Sequence, residues 1–423
     1  MLSLVLLVLA GTAYVWARLA GGQVDLTQSA RSILQLVSDD QPREDDDILL
    51  SSTAGGQEGQ SQSQPANPTQ AKPQATPTLA AEKRYFTLTM GGTVAVEEKV
   101  RKSAYSADSE KYDFTDIMML LSGQVRGDFR GVFLENILDD EGKISNTVVP
   151  ESAADMLKAG GFNLAASGFA KAWDREMAGI TSTREALSAR GMTPTGIRDQ
   201  AGVAGLEIYP VGGIKVAIGQ YTSTVSASVR KSMAKKDADN AIPEADPERI
   251  AKDIQLARDY GAECVVILLN WGKVGSKTPD KTQKALAQTL ANAGADLIIG
   301  CGSRTPQTAE YFEEEGGSGH RTLCVYSLGT LLSDYRDSIN RLASYLLQVT
   351  VTVDGGKIQA IDASYLPVYT WRYKQDGKYY YRCLIAGENH PDGMDSEQLK
   401  NLEKARTVID ELLAGTPLTP AEI

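Results

Sequence analysis

The sequence predicts an α/β fold. Strand-like and helix-like stretches alternate through most of the chain after residue 83. The run Cys264–Leu269 is wholly apolar, as a strand covered on both faces requires. Two further buried runs, Ala295–Gly300 and Leu323–Gly329, each end at a glycine. The first hands over to a loop, Cys301–Arg304, and the C-terminal ends of strands are where open α/β sheets bind ligands.

Taken in order, Tyr85–Met90 alternates apolar and polar residues and reads as a strand entering a tight turn at Gly91-Gly92. Asp113–Leu121 reads as a short helix and Gly131–Glu135 as a second strand. Ser152–Ala159 is a helix stopped by Gly160-Gly161, Phe162–Gly168 a third strand, and Trp173–Ala189 a helix. Gly205–Tyr209 and Ile214–Tyr221 form a hairpin turned at Gly212-Gly213. A charged loop, Lys231–Pro243, leads to a helix over Asp246–Tyr260, with Pro247 suited to its first turn. Asp280–Ala293 is a helix ended by Gly294. Beyond Asp334, strands are expected over Ala343–Val353 and Gln359–Pro367. A tyrosine-rich hairpin over Tyr369–Cys383 turns at Asp376-Gly377, and a last helix spans Leu399–Leu413.

The totals narrow the function. With 43 basic against 54 acidic residues, net −11, nucleic acid is not an expected partner. His320 and His390 are the only histidines, both in Gly- or Pro-containing loops, where solvated residues are expected. Most catalytic zinc and dinuclear sites use several imidazoles. Cys264, Cys301, Cys324 and Cys383 have no C-x-x-C spacing; Cys264 and Cys324 read as small buried hydrophobes, and the spacing leaves disulfide pairing open.

Met1–Trp16 is almost wholly apolar. It is short for a full span and lacks the basic start of a signal peptide. The expectation is an uncleaved N-terminal membrane anchor over 1–20, a basic cytoplasmic end lying outside the sequence. The alternative is a cleaved signal and a secreted protein. Residues 21–82 are a Ser/Gln/Pro-rich linker; the composition of its Ser51–Ala81 stretch predicts disorder and a reach of about 30 Å for those thirty-odd residues. The globular domain is then expected outside the cytoplasm, with 83–368 as its body and 369–423 as an aromatic hairpin and helix packed on it.

Three segments resemble the bacterial poly-gamma-glutamate synthesis protein CapA family. Asn292–Gly300 (NAGADLIIG) is similar to that family's AGADLVIG, Tyr326–Gly329 to its YSLGNF, and Trp271-Gly272 after an apolar strand to its HWG. Any one of these is a weak signal; together and in order they are strong. The resemblance covers roughly Tyr85–Val368. It implies a metallophosphatase-like layered α/β/β/α sandwich with mixed sheets.

It also implies a metal centre whose ligands are missing. The family's Gly-Asp falls on Gly91-Gly92 and its Asn-Leu-Glu on Phe133-Leu134-Glu135. Its Ala-Asn-Asn-His falls on Gly168–Lys171, with Asp174 retained. Its His-Trp-Gly falls on Asn270–Gly272, its Gly-His-His-Pro-His on Gly300–Arg304, and the asparagine of its Tyr-Ser-Leu-Gly-Asn on Thr330. A dinuclear hydrolase needs carboxylate, imidazole and amide ligands around divalent ions. Glycine and phenylalanine offer no side-chain ligand, and Lys171 and Arg304 repel a cation.

The expectation is therefore a catalytically inactive homologue with no catalytic residue, metal or cofactor. Its cleft, the degenerate family site, comprises Gly92, Glu135, Lys171, Asp174, Asn270, Trp271 and Arg304, with Phe133, Phe169, Trp173 and Trp271 as apolar walls. Lys171 and Arg304 suit an anionic cell-envelope polymer, poly-gamma-glutamate-like, unless they pair with Glu135 and Asp174. A scaffold role in a membrane biosynthesis complex is the related option, with the aromatic hairpin as a contact surface. The alternative is a metal-dependent hydrolase or polymer-synthesis enzyme with an atypical site made from Glu135, Asp174, Asn270 and Cys301.

Overall fold

The computed structural model describes residues 83–199, 205–223, 225–317, 319–387 and 389–422. The described residues all fall in one compact unit. The expected anchor and linker, residues 1–82, lie outside the described residues.

In chain order the strands are β1 (Arg84–Val94), β2 (Tyr105–Ser106), β3 (Lys111–Tyr112), β4 (Phe129–Leu134), β5 (Ile137–Leu138), β6 (Val148–Val149) and β7 (Leu164–Ala166). They continue with β8 (Thr193–Thr195), β9 (Glu207–Val211), β10 (Ile214–Thr222), β11 (Cys264–Asn270), β12 (Leu297–Cys301), β13 (Pro306–Glu313) and β14 (Arg321–Leu328). The last are β15 (Thr330–Leu332), β16 (Ala343–Asp354), β17 (Lys357–Gln375), β18 (Lys378–Ile385) and β19 (Thr419–Pro420).

Two large mixed sheets result. One has the order β18-β17-β16-β1-β4-β7-β8, with β15 beside β1 and β19 beside β17; the other has the order β13-β14-β12-β11-β10-β9. In the first, β1, β4, β7 and β8 run parallel while β16, β17 and β18 form an antiparallel meander. In the second, β10, β11, β12 and β14 are parallel and the edges β9 and β13 antiparallel.

The sheets face each other. Phe86, Leu88 and Phe133 of one meet Val216, Val266, Leu268 and Ile299 of the other in a single core. The outer face of the first sheet, through Val132 and Ala165, is covered by Leu157 of helix Ala153–Ala159 and Leu187 of helix Glu176–Ser188. The outer face of the second, through Val265 and Ile267, is covered by Ile250 and Ile254 of helix Pro247–Asp259 and by Leu286 and Leu290 of helix Lys281–Asn292. This is the expected layered α/β/β/α sandwich. Alternation explains it: odd and even positions of each strand point to opposite faces, and both faces are apolar. The two covering helices of the second sheet start at side-chain caps, Asp246 on Arg249 N and Asp280 in a capping box with Gln283.

Several elements differ from the sequence expectation. β1 does not turn at Gly91-Gly92 but runs on to Val94, and neither glycine takes a positive φ. They are small because β15 comes close: a Cβ on Gly92 would overlap the Gly329 carbonyl oxygen. Residues 113–121 form two 3-10 turns instead of a helix. The charged stretch after Lys231 is preceded by a helix, Ala227–Ala234, that runs into it. Between the Cys301–Arg304 loop and Leu323 the chain forms a further strand, β13, whose partly exposed residues gave no apolar signal. β17 crosses position 368 unbroken, so the aromatic hairpin extends the first sheet and is not a separate appendage. The four cysteines are free and buried. His390 is exposed, but His320 is half-buried, its Nε2 2.9 Å from Ala295 O and 3.7 Å from Asp296.

Candidate functional site

The C-terminal ends of β1, β4, β7, β11 and β12 converge at one end of the sandwich. They surround a cleft of about 440 Å³ lined by residues that include Glu97, Glu135, Phe169, Lys171, Asn270 and Arg304. Each sheet contributes. Glu97 follows β1 and Glu135 follows β4; Asn270 ends β11, and Arg304 follows β12.

Arg304 is the hub. Its Nε donates to Glu135 Oε2 at 3.0 Å, and a second guanidinium nitrogen bonds the same oxygen. The third nitrogen lies 3.6 Å from Glu97 Oε1. That contact is a charge pair too long for a hydrogen bond, and Glu97 Oε1 accepts no hydrogen bond among the described residues. Asn270 Nδ2 donates to the other Glu135 oxygen at 3.3 Å. Glu97 Oε2 accepts from the Asp334 backbone N–H at 2.7 Å. Burial works against the Arg304 charge, but Glu135 and then Glu97 outweigh it and hold its pKa above the ordinary value. Burial pushes the Glu97 carboxyl up, opposed by the Asp334 N–H and by Arg304 and reinforced by Asp334 and Glu135.

The local chain is built to aim this guanidinium. Arg304 has φ of 54°, a left-handed conformation costly for a residue with a Cβ. The preceding Gly302 has φ of 102°, and a Cβ there would stand 2.5 Å from Trp271 O. Thr330 Oγ1 donates to Arg304 O at 2.9 Å, and Ser303 Oγ bridges Thr305 O and Ser327 Oγ at 2.6 and 2.9 Å. The Tyr335 ring lies 5.9 Å from the Arg304 guanidinium carbon.

Of the seven residues singled out from the sequence, the structure brings Glu135, Lys171, Asn270 and Arg304 to the cleft. Lys171 is exposed, and its ammonium has no ion pair among the described residues. The other three stand outside the lining. Asp174 points to solvent from the turn before helix Glu176–Ser188 and does not pair with Lys171. Gly92 is packed against Gly329. Trp271 is only 2% exposed; its ring stacks on Tyr326 at 5.7 Å and its Nε1 donates to Tyr326 O at 2.8 Å. Among the expected apolar walls only Phe169 lines the cleft. Phe133 belongs to the core between the sheets, and Trp173 is buried with its Nε1 on Ser232 Oγ at 3.0 Å.

The atypical hydrolytic set does not assemble. Cys301 is fully buried between the sheets, where burial raises its thiol pKa well above the ordinary value, and Asp174, though its N–H donates to Lys171 O at 3.0 Å, is exposed and does not line the cleft. Sequence reasoning missed Glu97. It is the first charged residue after β1, and the apolar Val94-Ala95-Val96 before it was the available signal that the strand outran its glycines. It also missed the wall residues Tyr335 and Arg341; Arg341 pairs with Asp337 at 3.1 Å and lies over the Tyr335 ring.

The residues do not fit the divalent metal that the resemblance implies. The space between the two carboxylates is taken by a guanidinium, and Asn270 turns a donor towards Glu135. No group of three or more His, Cys, Asp or Glu able to hold an ion occurs among the described residues.

Comparison with known proteins gives the family. The model described as "Bacterial capsule synthesis protein PGA_cap" matches residues 87–335. The PGA biosynthesis protein CapA of Bacillus subtilis (strain 168) is 32% identical over 124 residues, 29% of this chain and 30% of its own length. The capsule biosynthesis protein CapA of Bacillus anthracis is 28% identical over 127 residues, 29% of this chain and 28% of its own length. The match thus spans under a third of these curated relatives. Solved structures that align include a hypothetical protein from Thermus thermophilus (TM-score 0.38, 14% identity, 66% of this chain and 99% of that one). Another is the calcineurin-like phosphoesterase YfkN from Bacillus subtilis (TM-score 0.37, 10% identity, 78% of this chain and 99% of that one). With well over half of its length matched by the family model, the chain belongs to the bacterial capsule synthesis protein family PGA_cap.

Proposed function

We propose that this chain is a catalytically inactive member of its family, a binding or scaffold module in the assembly of a capsule or cell-envelope polymer. The observation that carries this reading is the Arg304 guanidinium held between Glu135 and Glu97 where a hydrolytic centre would need ligands. A buried arginine already paired with two carboxylates neither activates water nor offers an open coordination position. What the cleft offers a ligand is the Lys171 ammonium at its mouth, with Phe169 and Tyr335 as walls. That combination suits an anionic polymer carrying short apolar stretches.

The apolar segment Met1–Trp16 and the polar linker after it support a membrane anchor with the folded unit held outside the cytoplasm. No helix among the described residues is long and apolar enough to cross a membrane. Protease added to intact cells is expected to remove residues 83–423 while leaving cytoplasmic proteins whole; full protection of that region contradicts the placement.

The test of the binding reading is calorimetric titration of the full chain in detergent with poly-gamma-glutamate oligomers. Binding that weakens with salt, and about tenfold in Lys171→Ala through loss of one charge-assisted contact, is expected. No heat at low salt, or metal-dependent turnover of a phosphoester, contradicts it.

A further inference from the structure

The cleft does more than lack a metal. Its two carboxylates come from separate strands of one sheet, Glu97 after β1 and Glu135 after β4, and the cation between them comes from the other sheet. Each carboxylate side chain is largely buried, at 18% and 9% exposure, and the guanidinium is at 25%. Two such carboxylates facing one interior space need a proton or a cation between them. The chain accepts a left-handed, non-glycine backbone at Arg304 to bring that cation in.

We propose that the Arg304 guanidinium is the resident cation of this site, taking the place between Glu97 and Glu135 that a divalent ion holds in a metal-dependent centre. Its work is structural: it neutralises the carboxylates and ties the two sheets together at the open end of the sandwich. The arginine fork suits this because it bonds Glu135 through two nitrogens and leaves the third for Glu97. Asn270 completes the set by occupying the remaining Glu135 oxygen. The corollary is that removing Arg304 uncovers a cation site that the intact protein does not possess.

Thermal unfolding of the full chain tests this. Arg304→Ala is expected to unfold at lower temperature than the wild type. Its loss is expected to be recovered, saturably, by millimolar Mn2+ or Ca2+ or by low guanidinium, and not by NaCl at equal ionic strength. Arg304→Lys, which keeps a charge, is expected to be intermediate and unresponsive. Arg304→Ala combined with Glu135→Gln is expected to show no recovery, and the wild type no shift. If Arg304→Ala does not fold, Arg304→Gln is read in the same way. An unchanged midpoint in the single variants, recovery by NaCl alone, or a cation response that survives Glu135→Gln overturns the inference. The inference rests on the metal-free reading only through its wild-type arm. Metal in the wild type defeats both, whereas a wild type that binds polymer and variants that ignore cations defeat this inference alone.

Discussion

Arg304, on the loop after β12, closes on Glu135 at the end of β4, so the two sheets are joined by charge at the end where the cleft opens. Glu135 carries more of this contact than Glu97. It accepts from two guanidinium nitrogens and from Asn270, whereas Glu97 makes one longer charge pair. Glu135→Gln is therefore expected to cost about 2–4 kcal/mol of folding stability, the scale of breaking a largely buried pair, and Glu97→Gln about 1 kcal/mol. Urea unfolding of the two variants checks the order; equal losses contradict it.

The pH dependence follows from Glu97. Burial holds its pKa above the ordinary 4.5, so over the window from that value up to the raised one the folded chain keeps a proton that the unfolded chain has released. The contribution of Glu97 to stability then falls as pH rises through the window. The stability difference between Glu97→Gln and wild type, followed by urea unfolding between about pH 4 and pH 7, is expected to shift in favour of the variant as pH rises. A shift in the other direction contradicts the assignment.

Gly92 marks the position where the family resemblance places an aspartate, yet no side chain fits there. A Cβ would overlap the Gly329 carbonyl oxygen, which also accepts from Thr93 N at 2.9 Å. Gly92→Ala and Gly92→Asp are both expected to destabilise by about 2 kcal/mol or more, the aspartate without conferring metal binding. A stable Gly92→Asp variant that takes up manganese contradicts this.

Trp271 is a packing residue despite its place in the family's motif. Its stacking on Tyr326 and its bond to Tyr326 O lie beneath the cleft floor. Trp271→Ala is expected to lose about 3–5 kcal/mol. Trp271→Phe, which keeps the ring contact, is expected to lose less and to bind any cleft ligand as the wild type does; calorimetry on the folded variant reads this.

Most of the frame was legible because it rests on strong local signals. Cys264–Asn270 is apolar until its last residue and became a central parallel strand, and the Gly212-Gly213 and Asp376-Gly377 turns set their hairpins as read. What escaped was set by contacts distant in sequence. Gly91-Gly92 signal a turn locally, but here the small residues admit β15, which pairs with β1 from far along the chain. β13 is an edge strand with only three buried residues among its eight, so its pairing with β14 left no apolar run.

The site was legible in part for a related reason. Arg304, Asn270, Glu135 and Lys171 sit at or shortly after the ends of apolar strands; the strand end before Cys301–Arg304 pointed to Arg304, and the family's motifs pointed to the other three. Asp174 and Trp271 also follow strands, yet one faces solvent and the other the core, because orientation after a strand end depends on the packing of the following turn. Glu97 was hidden behind the misplaced end of β1.

We propose that the Arg304 guanidinium stands where a metal-dependent centre would hold its ion. The most direct test is elemental analysis of the full chain, purified without chelators from cells grown with manganese, zinc and iron. A metal content well below one ion per chain, unchanged after dialysis against each metal, is expected; one or two ions per chain, retained through gel filtration, would contradict it.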